Sequence, residues 1–250
     1  MKRKSPGDKQ VKPAGRGDQT RTRRTLRTHH RVAALAVGAA FMQWMWVQPI
    51  WAAGPSEPTS NLPTGGKWAN NLDGTAGGTI KTPSATEMQL YQNQRSGVLD
   101  FNCFCSRQGT LVNLTAPTTD STTLIRSVEG ANLWGRFTAN DKVFISSSAG
   151  VYFAPSANVE VGSLFATSLS ITNADFFAGR YNFIKDGNAG AVVNDGHVNI
   201  ISVGGYAALA GPQVQNNGVI VAQAGNVTLA AGDRVSLDMV GDGLVRVSVD

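Results

Sequence analysis

Residues 133–183 read LWGRFTANDKVFISSSAGVYFAPSANVEVGSLFATSLSITNADFFAGRYNF, and this stretch decides the fold. Its apolar runs are short: Val143-Phe144-Ile145, Val151-Tyr152-Phe153 and Val159-Glu160-Val161. Ser, Gly, Pro and Asn separate them. Strands this brief between turns this frequent predict a wound or layered all-β structure rather than a helical one.

Downstream, the chain repeats itself. Val192-Val-Asn-Asp-Gly-His-Val-Asn-Ile is followed 22 residues later by Val214-Gln-Asn-Asn-Gly-Val-Ile-Val. Tyr206-Ala-Ala-Leu-Ala-Gly is followed 21 residues later by Val227-Thr-Leu-Ala-Ala-Gly, and a looser third copy begins at Gly241-Asp-Gly-Leu. A period near 21–25 residues, with three short strands and Gly or Asn at the corners, matches one coil of a β-solenoid. A single coil buries too few aliphatic side chains to offset the entropy of ordering it, so coils must stack. Stack ends expose strand edges and need covering. The stretch from Thr79 to Asn113 is the candidate N-terminal cap, and no C-terminal cap is evident in the sequence.

Upstream, Met88-Gln-Leu-Tyr-Gln alternates, as does Val98-Leu-Asp-Phe-Asn-Cys-Phe-Cys, which puts Phe101, Cys103 and Cys105 on one strand face. A disulfide between strand positions i and i+2 would be strained, so the two thiols read as small semi-buried side chains, with their oxidation left open by the sequence. Gly54 to Gly78 is rich in Pro, Gly and Asn and is expected to be an irregular segment leading into the β domain of residues 79–250.

The charge is unevenly spread. Residues 1–31 carry 11 Lys and Arg against two acids, a net of +9, whereas the other 219 residues carry 11 basic and 15 acidic side chains, a net of −4. The body therefore lacks the electrostatic footprint of a nucleic-acid binder. Val32 to Ala53 holds no charge, and its densest apolar part has the length of a signal-peptide core. Residues 1–53 read as an extended, basic secretory leader cleaved near Ala52 or Ala53. Arg16-Gly17-Asp18, an integrin-type tripeptide, falls within that leader.

Catalytic chemistry finds little support. His197 is the one histidine of the body, and its repeat counterpart is Val219. No Ser-His-Asp arrangement and no nucleophile elbow can be assembled. The carboxylates Asp141, Glu160, Asp175, Asp186, Asp195, Asp233, Asp238 and Asp242 are scattered, and no pair stands out. Two cysteines without a nearby histidine do not make a zinc site, and the Asp-Gly pairs lack the nonapeptide calcium repeat. The sequence thus predicts no catalytic residues, no metal and no cofactor.

A longer pattern is specific. GRFTANDKVFI (135–145), ANVEVGSLFATSL (157–169), DFFAGRYNF (175–183), GAVVN (190–194), GGYAALAGPQV (204–214), VTLAAGD (227–233) and GDGL (241–244) follow in order. Together they resemble the N-terminal secretion domain of the filamentous-haemagglutinin family, the exported partners of Gram-negative two-partner secretion systems. The resemblance spans about Leu62 to Asp250. It implies a right-handed parallel β-helix with an N-terminal cap, recognised by an outer-membrane β-barrel transporter through that barrel's periplasmic domains. It implies export to the cell surface or medium and a monomeric module with no nucleic-acid partner.

The family's turn after the Val-Phe strand is usually Asn-Pro-Asn-Gly; here it is Ser147-Ser148-Ala149-Gly150. Asn and Pro bias such a turn through a side-chain hydrogen bond and a preset φ. Those four residues are the candidate transporter-recognition site. The other readings are a stand-alone adhesin binding host carbohydrate or protein, and a solenoid polysaccharide-degrading enzyme with carboxylates on adjacent coils.

Overall fold

The computed structural model describes residues 54–238 and 246–249. The expected leader, with Arg16-Gly17-Asp18, lies outside the described residues, as does Gly241-Asp-Gly-Leu.

Two strands open the fold, β1 (Lys67–Trp68) and β2 (Gly78–Ser84). The chain then winds. β3 (Glu87–Gln92) and β4 (Ser96–Phe101) are followed by β5 (Leu111–Thr115), β6 (Thr122–Ser127) and β7 (Ala131–Leu133). Next come β8 (Arg136–Ala139), β9 (Lys142–Ser146) and β10 (Val151–Phe153), then β11 (Asn158–Val161) and β12 (Ser163–Thr167). After β12 the winding is interrupted by α1 (Asn173–Phe177) and β13 (Tyr181–Ile184), and it resumes at β14 (Val192–Asn194). β15 (His197–Ile200), β16 (Tyr206–Gly211) and β17 (Val214–Asn216) form the following coil, and β18 (Val219–Ala222) and β19 (Asn226–Ala231) the one after. β20 (Arg234–Asp238) and β21 (Arg246–Val249) come last.

Corresponding strands pair in parallel from coil to coil, so the molecule is a parallel β-solenoid with three side walls. The wall orders are β1-β4-β6-β9-β12-β16-β19, β18-β15-β11-β8-β5-β3-β2 and β17-β14-β10-β7. Identical strand positions stack into ladders. Met88, Val112, Phe137, Val159, Val198 and Ile220 are in register along one wall. Leu99, Ile125, Ile145, Ala166, Leu209 and Leu229 are in register along another. Ladders from the three walls meet in one apolar column. Asn194 sits fully buried at a corner of the column. Its Nδ2 donates to Asn216 Oδ1 of the next coil (2.7 Å) and its Oδ1 accepts from Gly196 N–H (3.2 Å), which satisfies the amide.

The wall containing β9 has a second core on its outer face. Val98, Leu124, Phe144, Phe165 and Ala208 stack outward there, under Phe176 of α1, Phe183 of β13 and Val235 and Leu237 of β20. A strand buried on both faces needs a continuous apolar run, which is why this wall reads Val143-Phe144-Ile145 and Leu164-Phe165-Ala166 without strict alternation. The covering layer is a small antiparallel sheet, β13-β20-β21, with α1 beside it. Thr172 caps α1: its hydroxyl accepts from Asp175 N–H (3.1 Å) and donates to Asp175 Oδ2 (2.7 Å).

Four sequence expectations need correction. The cap starts before Thr79 and ends well before Asn113: β1 and β2 pair antiparallel with β4 and β3, while β3 already pairs in parallel with β5. The two antiparallel strands cover the first edge of both long walls. Second, Tyr206 is in register with Asn226, not Val227, an offset of 20 rather than 21. Third, Arg246–Val249, which follows the Gly241-Asp-Gly-Leu of the looser copy, pairs antiparallel with β20 rather than in parallel as a coil strand does. Fourth, Cys103 and Cys105 are bridged, with Cα atoms 5.1 Å apart. β4 ends at Phe101, so the two cysteines lie on a bend, where a separation shorter than the roughly 6.6 Å of an extended i, i+2 pair suits a disulfide.

Candidate functional site

The four candidate residues make the corner between β9 and β10. Gly150 N–H donates to Ser147 O (2.9 Å), closing a four-residue turn. Neighbouring coils grip it from both sides. Ser147 N–H donates to Thr167 O (3.0 Å), Gly190 N–H to Ser148 O (2.8 Å), and Ala131 N–H to Gly150 O (3.1 Å). Gly150 adopts φ 112° and an added Cβ would stand 2.9 Å from Ala191 O, so the corner requires glycine. Gly190 passes close by; a Cβ there would lie 2.5 Å from Ala149 O.

This packing divides the predicted site. Ser147 and Gly150 are buried, Ser148 is half-buried, and Ala149 is exposed. Of the turn, only Ala149 and part of Ser148 reach the surface. Ser147 is 2% exposed and its Oγ has no hydrogen-bond partner.

Beside the turn runs a groove of about 730 Å³, which sequence reasoning missed. Ser147 and Ser148 line it with Arg126, Val128, Ile184 and Lys185. Its floor is the row of corners that follow β4, β6, β9 and β12, and its roof is β13. Arg126 grips Asp100 through two hydrogen bonds (2.7 and 3.0 Å), and Lys185 Nζ is 3.2 Å from Asp233. The Thr172 hydroxyl and the Arg180 guanidinium hold the Asp175 carboxyl below its usual range. These charges are matched internally and Asp186 adds a further carboxylate to the lining; otherwise the groove presents hydroxyls and two aliphatic rims, Val128 (74% exposed) and Ile184 (44% exposed). The signal in the sequence was the long interval between β12 and β14, where other coils turn a corner in a few residues.

His197, Glu160 and Asp195 stay apart from this surface. His197 is exposed on the outer face of β15, in register with Asn158 and Val219. Glu160 pairs with Arg136, and Asp195 accepts from Tyr152 OH (2.9 Å) and Asn217 Nδ2 (2.8 Å). Burial first, then the hydrogen bond to Asp195 and its charge, push the Tyr152 phenol up to about 12. Among the described residues no group of three or more His, Cys, Asp or Glu converges on a common point for a metal.

Coils stacked around an apolar column, with a covered outer face and one gripped corner, define a capped β-solenoid. The family model for the TPS secretion domain matches residues 69–247, most of the chain, and the chain belongs to that family. Among solved structures it is similar to the HMW1 secretion domain from Haemophilus influenzae, with a TM-score of 0.65 and 19% sequence identity. That match covers 75% of this chain and 48% of the other, so this chain spans about half the length of that structure, and the likeness is one of fold. Among curated proteins, none matches this sequence.

Proposed function

We propose that this chain is the secretion-recognition module of a two-partner secretion exoprotein, held by an outer-membrane β-barrel transporter through the barrel's periplasmic domains. The family match over residues 69–247 carries this reading. The contact point is the Ser147–Gly150 turn together with the groove beside it. Apart from Asp186, the groove matches its own charges and leaves hydroxyls and aliphatic rims for an extended segment of the partner. The mechanism is binding and translocation rather than catalysis. A leader cleaved near Ala52 or Ala53 delivers the chain to the periplasm, and the folded monomer is released or retained at the cell surface. Because one coil cannot fold alone, each coil that stacks outside the cell makes the return of the preceding one unfavourable.

The test is secretion by cells that also express the cognate transporter. Replacing Ser147-Ser148-Ala149 by Asn-Pro-Asn should raise the amount exported, and Val128→Asp in the groove rim should lower it without unfolding the protein. Equal export of all three forms would refute the assignment of the contact point. Glycan binding by the purified chain without any transporter would instead support an adhesin.

A further inference from the structure

A polar relay crosses three successive coils at the opposite end of the same wall. Gln92 ends β3, Thr123 lies in β6, and Asp141 immediately precedes β9. Gln92 is 5% exposed, and Thr123 and Asp141 are fully buried. Gln92 Nε2 donates to two carbonyls, Gln94 O (2.7 Å) and Thr122 O (3.3 Å). That fixes the amide orientation, since the flipped form would set Oε1 against both carbonyl oxygens. Gln92 Oε1 therefore faces Thr123 Oγ1 at 2.5 Å, and Thr123 Oγ1 faces Asp141 Oδ2 at 2.6 Å.

A hydroxyl has one proton. If Thr123 donated it to an ionised Asp141, two bare oxygens, Thr123 Oγ1 and Gln92 Oε1, would stand 2.5 Å apart in a dry interior. Both contacts become hydrogen bonds only when Asp141 carries a proton. The sequence of donors is then Asp141 to Thr123, Thr123 to Gln92, and Gln92 to the two carbonyls. We infer that the fold holds Asp141 as a neutral acid, so that stacking these three coils takes up a proton from solution.

The surroundings agree. The groups facing Asp141 are a hydroxyl and a phenol, Thr123 and Tyr206 of β16; Tyr181 of β13 lies by Tyr206 and bonds to Thr122. The nearest cation in sequence, Lys142, is directed to Asp120 (3.6 Å), and Arg126 at the far end of β6 is taken by Asp100. Asp141 Oδ1 has no partner. Burial, outweighing the Thr123 hydroxyl and the residue's own backbone N–H, pushes the carboxyl up to about 6.

The sign follows from linkage. A carboxyl whose folded pKa is raised binds its proton more tightly in the folded state. Its stabilisation is complete below the ordinary carboxylate range near 4, and is lost as pH rises through 6. The folding constant changes about 100-fold across that window, because each pH unit between the unfolded and folded pKa is worth a factor of about ten.

Urea unfolding of the full chain between pH 4 and 8 tests this. In Asp141→Asn an amide N–H replaces the acid O–H toward Thr123. The wild-type folding constant, taken relative to Asp141→Asn, should fall about 100-fold between pH 4 and 7 and stay level above. A constant ratio across the range overturns the inference. A second measurement needs only the wild type: with ¹³C-labelled aspartate, its infrared spectrum at pH 5 should hold an isotope-sensitive carbonyl band of a buried carboxylic acid, lost at pH 8. If that band is missing, the proton is not there.

Discussion

Phe144→Ala would separate the two cores of the protein. The side chain is fully buried on the outer face of the central wall, away from the solenoid column. Its ring centroid lies 5.0 Å from Tyr181, 5.5 Å from Phe176, 5.8 Å from Phe165 and 6.2 Å from Phe183. Three of those four rings belong to α1 and β13. Burial of a phenylalanine side chain contributes about 1.5–3 kcal/mol. The void left among rigid rings adds to that, giving about 3–5 kcal/mol in total. The loss should be local, because neighbouring Val143 and Ile145 hold the inner face. Urea unfolding gives the total, and amide exchange gives its location. The amides of Ser170 and Ile184, which bond each other's carbonyls, should exchange faster, while those of Val143 to Ile145 keep their protection. A loss below about 1 kcal/mol, or equal loss of protection in both regions, would refute the reasoning.

Four smaller perturbations follow from the same architecture. Ser148 occupies the second position of its turn, where proline is preferred; Ser148→Pro should stabilise by about 0.4–1 kcal/mol in urea unfolding. Gly190→Ala drives a Cβ against the Ala149 carbonyl and should cost about 1–3 kcal/mol, seen as a lowered thermal midpoint. The Cys103–Cys105 bridge closes a very short loop, so the double serine variant should lose no more than about 1–2 kcal/mol in denaturant titration. Arg126→Ala breaks a partly exposed ion pair, and calorimetry should find a change of about 1 kcal/mol or less.

The winding of the chain was legible in the residues because turn chemistry and short apolar runs recur at coil length. The match of Val192 with Val214 and of His197 with Val219 is the register the structure adopts. The offset at Tyr206 was misread by one because Ala-Ala-Leu-Ala and Thr-Leu-Ala-Ala are nearly interchangeable, and small residues set register weakly. The outer core escaped for a different reason. A run such as Val143-Phe144-Ile145 shows that both faces are buried without saying what covers the second, and α1 spans five residues, too few for a periodic signal. The candidate turn was singled out through the family resemblance, as the residues aligned with the family's Asn-Pro-Asn-Gly turn. Its division into buried and exposed halves, and the groove beside it, depend on contacts from Gly190 and β13, more than 30 residues away, that no local pattern encodes.

The aromatic cluster on the outer wall also answers a problem of identity. Inside the column the coils beyond Phe153 offer much the same Leu, Ile, Val and Ala, so a coil there that settled one place too far along would find nearly equivalent neighbours. Phe144 and Phe165 are different: they fit only beneath Phe176, Tyr181 and Phe183, which the chain delivers once. Those rings act as an address, telling an otherwise repetitive chain which coil is which.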